Sequence, residues 1–275
     1  MATLPTFLYG TAWKEDETRR LVRQALDAGF RGIDTANQRR HYHEVAVGQG
    51  IADHLAASGG SRDALFLQTK FTARDGQDHR LPYDPRADVS TQVEQSFASS
   101  LEHLGSDRVD SYILHGPSSS TTLTDEDWQA WGAMEKLFAE GKARALGVSN
   151  VNRGQLDLLC GHANVKPSFV QNRCHARRGW DAEVRAVCAR HGVRYQGFSL
   201  LTANAEVVRH PSTRAIAARL GATPAQVVFA FALAVGMLPL TGTTKIAHMK
   251  EDLQAPELAL AVDEVTLIET LAARP

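Results

Sequence analysis

The chain repeats one unit eight times, a short apolar run followed by an amphipathic helical pattern. Strands are predicted at residues 7–13, 30–34, 64–71, 109–115, 143–149, 168–172, 195–199 and 237–240. Helices are predicted at residues 15–28, 45–57, 89–104, 125–141, 153–159, 182–191, 211–235 with a break at Gly221, 247–253 and 258–272. Eight such units in 275 residues predict an α/β protein, a (β/α)8 TIM barrel that forms a single domain over residues 1–275.

A doubly wound open sheet is the alternative fold, because it also alternates strands with helices. That fold is typically marked by G-x-G-x-x-G after its first strand, and the sequence has no such motif there. The nearest fragment, Gly48-Gln49-Gly50, lies inside a helical pattern. The sequence therefore favours the barrel.

The charges nearly cancel, with 30 Lys and Arg against 31 Asp and Glu. Nucleic acids and anionic membranes both require a concentrated basic surface, so we expect neither as a partner. No apolar run approaches the roughly 18 residues of a membrane span, and the first residues lack the pattern of a secretion signal. The cysteines Cys160, Cys174 and Cys188 form no C-x-x-C pair, which favours reduced thiols and a cytoplasmic location.

Polar side chains stand at the ends of most predicted strands. They are Asp34, Lys70, His115, Ser149, Asn150, Gln171 and Asn172. Each has an ordinary explanation on its own, such as a turn cap for Asp34 or a solvated side chain for Lys70. Because the carboxyl ends of all strands in a parallel barrel meet at one face, their joint occurrence predicts an active site there.

Four short motifs at these strand ends occur in a recognisable order. They are Gly-Ile-Asp-Thr-Ala at 32–36, Gln-Thr-Lys-Phe at 68–71, Tyr-Ile-Leu-His-Gly at 112–116 and Gly-Val-Ser-Asn at 147–150. In order and separation they resemble the aldo-keto reductase family, and the resemblance extends over about residues 10–253. It implies a barrel that binds a nicotinamide dinucleotide, usually NADPH, and that reduces a small-molecule carbonyl substrate, an aldehyde or a ketone, to an alcohol.

The resemblance also implies a catalytic tetrad. Its members correspond to Asp34, Tyr42, Lys70 and His115. Tyr42 is the only tyrosine in a loop that is longer than usual, and the alternative role for its ring is packing beneath that loop. In the implied mechanism Tyr42 donates a proton, Lys70 held by Asp34 lowers the pKa of the phenol, and His115 orients the substrate oxygen.

The cofactor-binding residues implied by the resemblance follow later strands. They are Ser149, Asn150 and Gln171 for the carboxamide, Phe198 for stacking on the nicotinamide, Ser199 and Leu200 for the pyrophosphate loop, and Thr243, Thr244, Lys245, His248 and Asp252 around the adenosine 2′-phosphate. His248 stands where the family often has an arginine, and Lys245 could supply the charge instead. NADPH is therefore the expected cofactor, and NADH is possible.

Substrate contacts are expected near the mouth of the barrel. The candidates are Trp13, Arg39, His41, Trp128, Arg177 and Trp180. Arg39 could recognise an acidic substrate or simply be solvated. His41, His43, Cys174 and His175 are residue types that bind zinc, but they contain no compact ligand pair beyond H-x-H, so no metal is expected.

Two other functions stay open at this point. The long spacing between Asp34 and Tyr42 favours a cofactor-binding barrel that acts as a regulatory or interaction subunit. The barrel could also use a bound cofactor in a lyase or cyclisation step of a biosynthetic pathway.

Overall fold

Eight parallel strands close into a barrel in the computed structural model, which describes residues 4–272. The strands are β1 (Leu8–Gly10), β2 (Gly32–Asp34), β3 (Phe66–Phe71), β4 (Ser111–Leu114), β5 (Leu146–Ser149), β6 (Phe169–Arg173), β7 (Arg194–Phe198) and β8 (Leu238–Thr241). Each strand pairs with the next, and β8 pairs back to β1. The predicted barrel is confirmed, and the open sheet is wrong because β1 and β8 leave no free edge. Residues 1–3 and 273–275 of the predicted domain lie outside the described residues.

The helices surround the barrel. They are α1 (Thr18–Ala28), α2 (Glu44–Ser58), α3 (Val89–Leu104), α4 (Asp125–Ala139), α5 (Arg153–His162), α6 (Ala182–His191), α7 (Ala205–Arg209), α8 (Pro211–Leu220), α9 (Pro224–Ala234), α10 (Ile246–Gln254) and α11 (Val262–Thr270). The predicted break at Gly221 is present, since Gly221 ends α8 with φ 63° and Thr223 caps the start of α9. The sequence did not predict α7, whose five residues are too short to show a helical period.

Within residues 4–272 no single helix has the length and apolar character needed to cross a bilayer. The pair α8 and α9 reaches that length and composition together, with a bend of 90° between the two helices.

Apolar side chains fill the amino-terminal end of the barrel. This cluster consists of Leu8, Phe66, Ile113, Phe169, Leu238 and Leu240. Gly147 belongs to the same layer, because a Cβ atom there would lie 2.3 Å from the Ile113 side chain and 2.7 Å from the Phe169 carbonyl oxygen. A separate and larger core lies between the strands and the helices.

Polar residues continue the same inward-facing series toward the carboxyl ends of the strands. Since alternate residues of a strand face the same side, Phe66 is followed inside the barrel by Gln68 and Lys70, and Phe169 by Gln171. The apolar layer closes one end of the barrel and supports a polar layer at the other end.

Candidate active site

A cavity of about 880 Å³ opens at the carboxyl ends of the strands. Trp13, Asn150 and Ser199 line it, and their φ angles of 60°, 56° and 57° lie in the left-handed region. Such a conformation costs a residue other than glycine about 1–3 kcal/mol and tends to occur at functional sites. Three of the six residues other than glycine that have a positive φ in the described part of the chain therefore line this cavity.

Lys70 and Asp34 form a buried ion pair at the floor of this cavity. Lys70 Nζ lies 2.7 Å from Asp34 Oδ1 and 2.8 Å from Oδ2, and it donates a third hydrogen bond of 2.7 Å to the Thr35 carbonyl. All three ammonium hydrogens are therefore engaged. Burial lowers the pKa of Lys70, and the Asp34 carboxylate opposes that shift.

Tyr42 lies beside this ion pair. A turn places it there, with the Tyr42 amide donating to the Gln38 carbonyl at 3.0 Å. The centroid of the Tyr42 ring lies 5.2 Å from Lys70 Nζ and 6.0 Å from the centroid of the His115 ring. Since Asp34, Tyr42 and His115 all line the cavity, the structure brings the four residues of the implied tetrad together.

The environment of the Tyr42 phenol differs from the sequence expectation. Burial raises the pKa of Tyr42 far above its ordinary value of 10.0, and the nearby Asp34 carboxylate raises it further. The net shift is therefore upward and not downward, because burial disfavours the phenolate and the Asp34 carboxylate offsets the positive charge of Lys70. The phenol therefore keeps its proton throughout the neutral pH range.

His115 is held as a neutral imidazole. Its Nδ1 lies 2.6 Å from the Thr72 hydroxyl oxygen. Burial and the charge of Lys70 lower the pKa of His115 to about 3. The Thr72 contact occupies Nδ1 and leaves Nε2 for a molecule in the cavity, so His115 can orient a ligand through a hydrogen bond but adds no positive charge at neutral pH.

The residues predicted for the carboxamide lie next to one another. Ser149 of β5 pairs in register with Gln171 of β6, and the Ser149 hydroxyl donates to the Gln171 carbonyl at 2.5 Å. The Asn150 side-chain amide donates to the His115 carbonyl at 2.8 Å. All three line the cavity, as do Phe198, Ser199 and Leu200.

Only part of the segment that was predicted to bind the adenosine 2′-phosphate lines the cavity. Thr243, His248 and Asp252 line the cavity, whereas Thr244 and Lys245 are exposed outside it. Asp252 accepts a hydrogen bond of 2.7 Å from the Thr241 hydroxyl, and burial raises its pKa to about 6. The Asp252 carboxylate at this end of the cavity is therefore expected to gain its proton at a higher pH than an ordinary aspartate.

Two of the predicted substrate residues face the cavity. The rings of Trp13 and His41 are in contact, with centroids 4.0 Å apart and an angle of 39° between their planes, and the Trp13 amide donates to the His41 carbonyl at 2.7 Å. Trp13 is 69% exposed, so an apolar surface is available at the cavity mouth. Arg39 instead lines a neighbouring cavity of about 300 Å³ that also contacts Tyr42.

The other three predicted substrate residues do not line the large cavity, and the expectation for them is wrong. Trp180 is completely buried, where it packs against Phe231 and donates to the Ile268 carbonyl. Trp128 packs against the hydrophobic core. Arg177 is exposed and forms an ion pair of 3.1 Å with Glu206.

Sequence reasoning missed two charged residues that line the cavity, Lys14 and Arg173. The Lys14 ammonium donates to the Gly242 carbonyl and so connects the loop after β1 with the loop after β8. Arg173 ends β6 two residues after Gln171 and so faces the same side of the strand. That spacing is the signal by which Arg173 could have been found. Among residues 4–272 no group of three His, Cys, Asp or Glu side chains is arranged to hold a metal ion.

Known proteins resemble this chain over nearly its whole length. The sequence model of the Aldo/keto reductase family matches residues 6–273. The chain belongs to this family. The resemblance predicted from the four motifs is thereby confirmed, and the protein is an NAD(P)H-dependent oxidoreductase of a family that acts on small-molecule carbonyl compounds.

Individual relatives cover nearly the whole chain. An aldo-keto reductase of Mycolicibacterium vanbaalenii is 32% identical over 271 residues, which are 98% of this chain and 88% of that protein. An uncharacterised oxidoreductase of Bacillus subtilis is 29% identical over 98% of this chain and 89% of its own length. The crystal structure of an aldo/keto reductase from Brucella melitensis superposes with a TM-score of 0.82 at 27% identity, covering 98% of this chain and 95% of that one.

Proposed function

We propose that this protein reduces an aldehyde or ketone to an alcohol with NADPH, and that Tyr42 donates the proton. The observation that carries the proposal is the convergence of a buried ion pair, a phenol and a neutral imidazole at the floor of one large cavity. A nicotinamide cofactor supplies the hydride that the carbonyl carbon accepts. The side chains then have to supply a proton and to stabilise charge on the carbonyl oxygen.

Tyr42 suits proton donation in the direction of reduction. Because burial raises the pKa of its phenol, the hydroxyl is protonated before the reaction begins. Lys70 lies close enough to stabilise negative charge that develops on the phenol oxygen or on the substrate oxygen. Asp34 holds that ammonium in place, and His115 Nε2 orients the substrate oxygen by a hydrogen bond.

The residues present fit a nicotinamide dinucleotide. The carboxamide is a flat group with donors and acceptors, which matches the hydroxyl of Ser149 and the side-chain amides of Asn150 and Gln171. Phe198 offers an aromatic face on the neighbouring strand. Lys14 places a cation in the same cavity, where burial lowers its pKa. These features support a role in holding the cofactor.

We expect NADPH to bind more tightly than NADH, and the preference to be larger at pH 6 than at pH 8. As the pH falls through about 6, Asp252 loses its negative charge and repels the 2′-phosphate less. Dissociation constants for both cofactors at both pH values measure the effect.

Two substitutions locate the source of this preference. His248→Ala is expected to reduce it more than Lys245→Ala, because His248 lines the cavity and Lys245 is exposed outside it. Each variant serves as the control for the other. Equal affinity for NADH and NADPH at pH 6 would contradict the assignment of this end of the cavity to the 2′-phosphate.

Oxidation of NADPH and of NADH in the presence of a panel of aldehydes and ketones tests the proposed reaction. We expect consumption of the cofactor that depends on the carbonyl compound and yields the alcohol in equal amount. Tight cofactor binding without turnover on any member of the panel would instead favour the regulatory or interaction role. Formation of a product without net cofactor oxidation would favour the lyase or cyclisation role.

We also propose a cytoplasmic location. Cys160, Cys174 and Cys188 are free and buried. Burial raises the pKa of these thiols to about 11, 12 and 12, which makes them poor nucleophiles. Free thiols of this kind are common in proteins of reducing compartments.

A further inference from the structure

Three glutamines form a connected network inside the barrel, directly below the cavity. Gln68 of β3, Gln171 of β6 and Gln196 of β7 are 0%, 3% and 0% exposed. Gln68 Nε2 donates to Asp34 Oδ1 at 2.7 Å and to Gln196 Oε1 at 2.8 Å. Gln171 Nε2 donates to the same two atoms, each at 2.9 Å, and Gln196 Nε2 donates to Gln68 Oε1 at 2.9 Å.

The Asp34 carboxylate determines the orientation of all three amides. A carboxylate only accepts hydrogen bonds, so Gln68 and Gln171 must both turn their NH₂ groups toward it. The second hydrogen of each NH₂ group then points to Gln196, which must present its oxygen there. The NH₂ group of Gln196 is left to donate to Gln68 Oε1. The pattern is consistent with one arrangement of the three amides.

This arrangement leaves one oxygen for a ligand. Within residues 4–272, five of the six amide nitrogen and oxygen atoms of these glutamines have a partner, and the remaining atom is Gln171 Oε1. Gln171 lines the cavity, whereas Gln68 and Gln196 do not. The network therefore presents a hydrogen-bond acceptor, and not a donor, at the cavity wall. An acceptor at this place recognises a ligand that offers an N–H or O–H donor.

We propose that Gln196, supported by Gln68, is a positioning residue that holds Gln171 Oε1 toward the N–H of the cofactor carboxamide. The inference rests on the proposed function, because it requires a nicotinamide cofactor in the cavity. Gln196 touches no ligand itself. Its oxygen accepts the second hydrogen of the Gln171 NH₂ group, and without that partner the buried N–H favours a rotation of the Gln171 amide toward another acceptor.

The experiment compares NADP⁺ with its 3-acetylpyridine analogue, in which a methyl group replaces the amide NH₂. Dissociation constants for both ligands are measured by isothermal titration calorimetry on folded protein. Wild type is expected to bind NADP⁺ about fivefold more tightly than the analogue, as one hydrogen bond predicts. In Gln196→Met the ratio of the two constants should fall below about twofold, because only the ligand with the NH₂ group senses the orientation of Gln171.

Three variants separate positioning from general destabilisation. Gln155→Met removes another buried glutamine, which donates to the Ser119 and Thr122 carbonyls and lies outside the cavity lining. It should leave the ratio at the wild-type value. Gln196→Glu keeps an acceptor oxygen and should restore most of the ratio. If Gln196→Met does not fold, Gln68→Met gives the measurement, because it removes the acceptor of Gln196 Nε2 and lets that amide turn.

The outcomes distinguish this inference from the proposed function. An unchanged ratio in folded Gln196→Met, or equal affinity of wild type for both ligands, overturns the positioning role while leaving the reductase proposal intact. Wild type that binds neither NADP⁺ nor NAD⁺ overturns both.

Discussion

Tyr42→Phe is expected to lower the rate of carbonyl reduction by at least ~10²-fold while leaving the affinity for NADPH nearly unchanged. The substitution keeps the ring that packs between Lys70 and His115 and removes only the hydroxyl. The loss of rate reports the loss of the proton donor, since the ring contacts that shape the cavity are retained. The rate of reduction is measured as turnover at saturating substrate. The affinity for NADPH is measured by fluorescence.

Tyr112→Phe is the matched control. Tyr112 is also a buried tyrosine, but its ring packs edge-on against Phe97, 4.7 Å away between β4 and α3, and it does not line the cavity. The control should retain wild-type turnover. Wild-type turnover in Tyr42→Phe would instead assign the proton to another group and would contradict the proposed tetrad.

The regular parts of the fold could be predicted because burial imposes a period on the sequence. The helix at residues 182–191 was predicted with the bounds that the structure gives to α6. The first strand was predicted too long, at residues 7–13, because its apolar run continues beyond β1 into the cavity lining. Trp13 has a positive φ, which does not occur in a regular strand, and its side chain lines the cavity. Periodicity detects burial, but it does not distinguish a strand from a buried loop.

The position of polar residues on strands could also be predicted, since strand ends converge in any parallel barrel. Asp34 and His115 needed only that argument to be placed near each other. Residues in long loops could not be placed in this way. Trp180 belongs to a turn in which Gly179, Trp180 and Asp181 all have positive φ, and this turn directs the indole into the core. No sequence period signals such a turn.

Electrostatic properties were the least predictable part of the site. The sequence suggested that Lys70 would lower the pKa of Tyr42, because it places a cation and a phenol near one another. The degree of burial and the number of hydrogen bonds between Lys70 and Asp34 decide whether the net pKa shift of Tyr42 is upward or downward. Neither is visible in the sequence. The glutamine network was missed for the same reason, because Gln68 and Gln196 are isolated polar residues in apolar strands until the barrel closes.

Lys70→Met is expected to reduce turnover by at least ~10²-fold. Lys70 Nζ lies 5.2 Å from the centroid of the Tyr42 ring. At an effective dielectric constant of about 20, unit charges at about that distance interact by about 3 kcal/mol, which corresponds to a rate factor of about 10². The Asp34 carboxylate, which raises the pKa of Tyr42, would then act without an opposing charge. Proton release from the phenol becomes harder for both reasons.

The same substitution removes one partner of a buried ion pair, so stability has to be separated from catalysis. Lys70→Met alone is expected to lower the free energy of unfolding by about 3–5 kcal/mol, because Asp34 is left charged and unpaired. The double variant with Asp34→Asn removes both charges and keeps an oxygen that can accept from Gln68 and Gln171, so most of the stability should return. Turnover should remain low in the double variant, since the ammonium is still missing.

Denaturant unfolding and turnover on the same samples measure both effects. The control is Lys136→Met, which removes an exposed lysine that is paired with Glu94. If turnover recovered together with stability, Lys70 would serve the fold and not the chemistry.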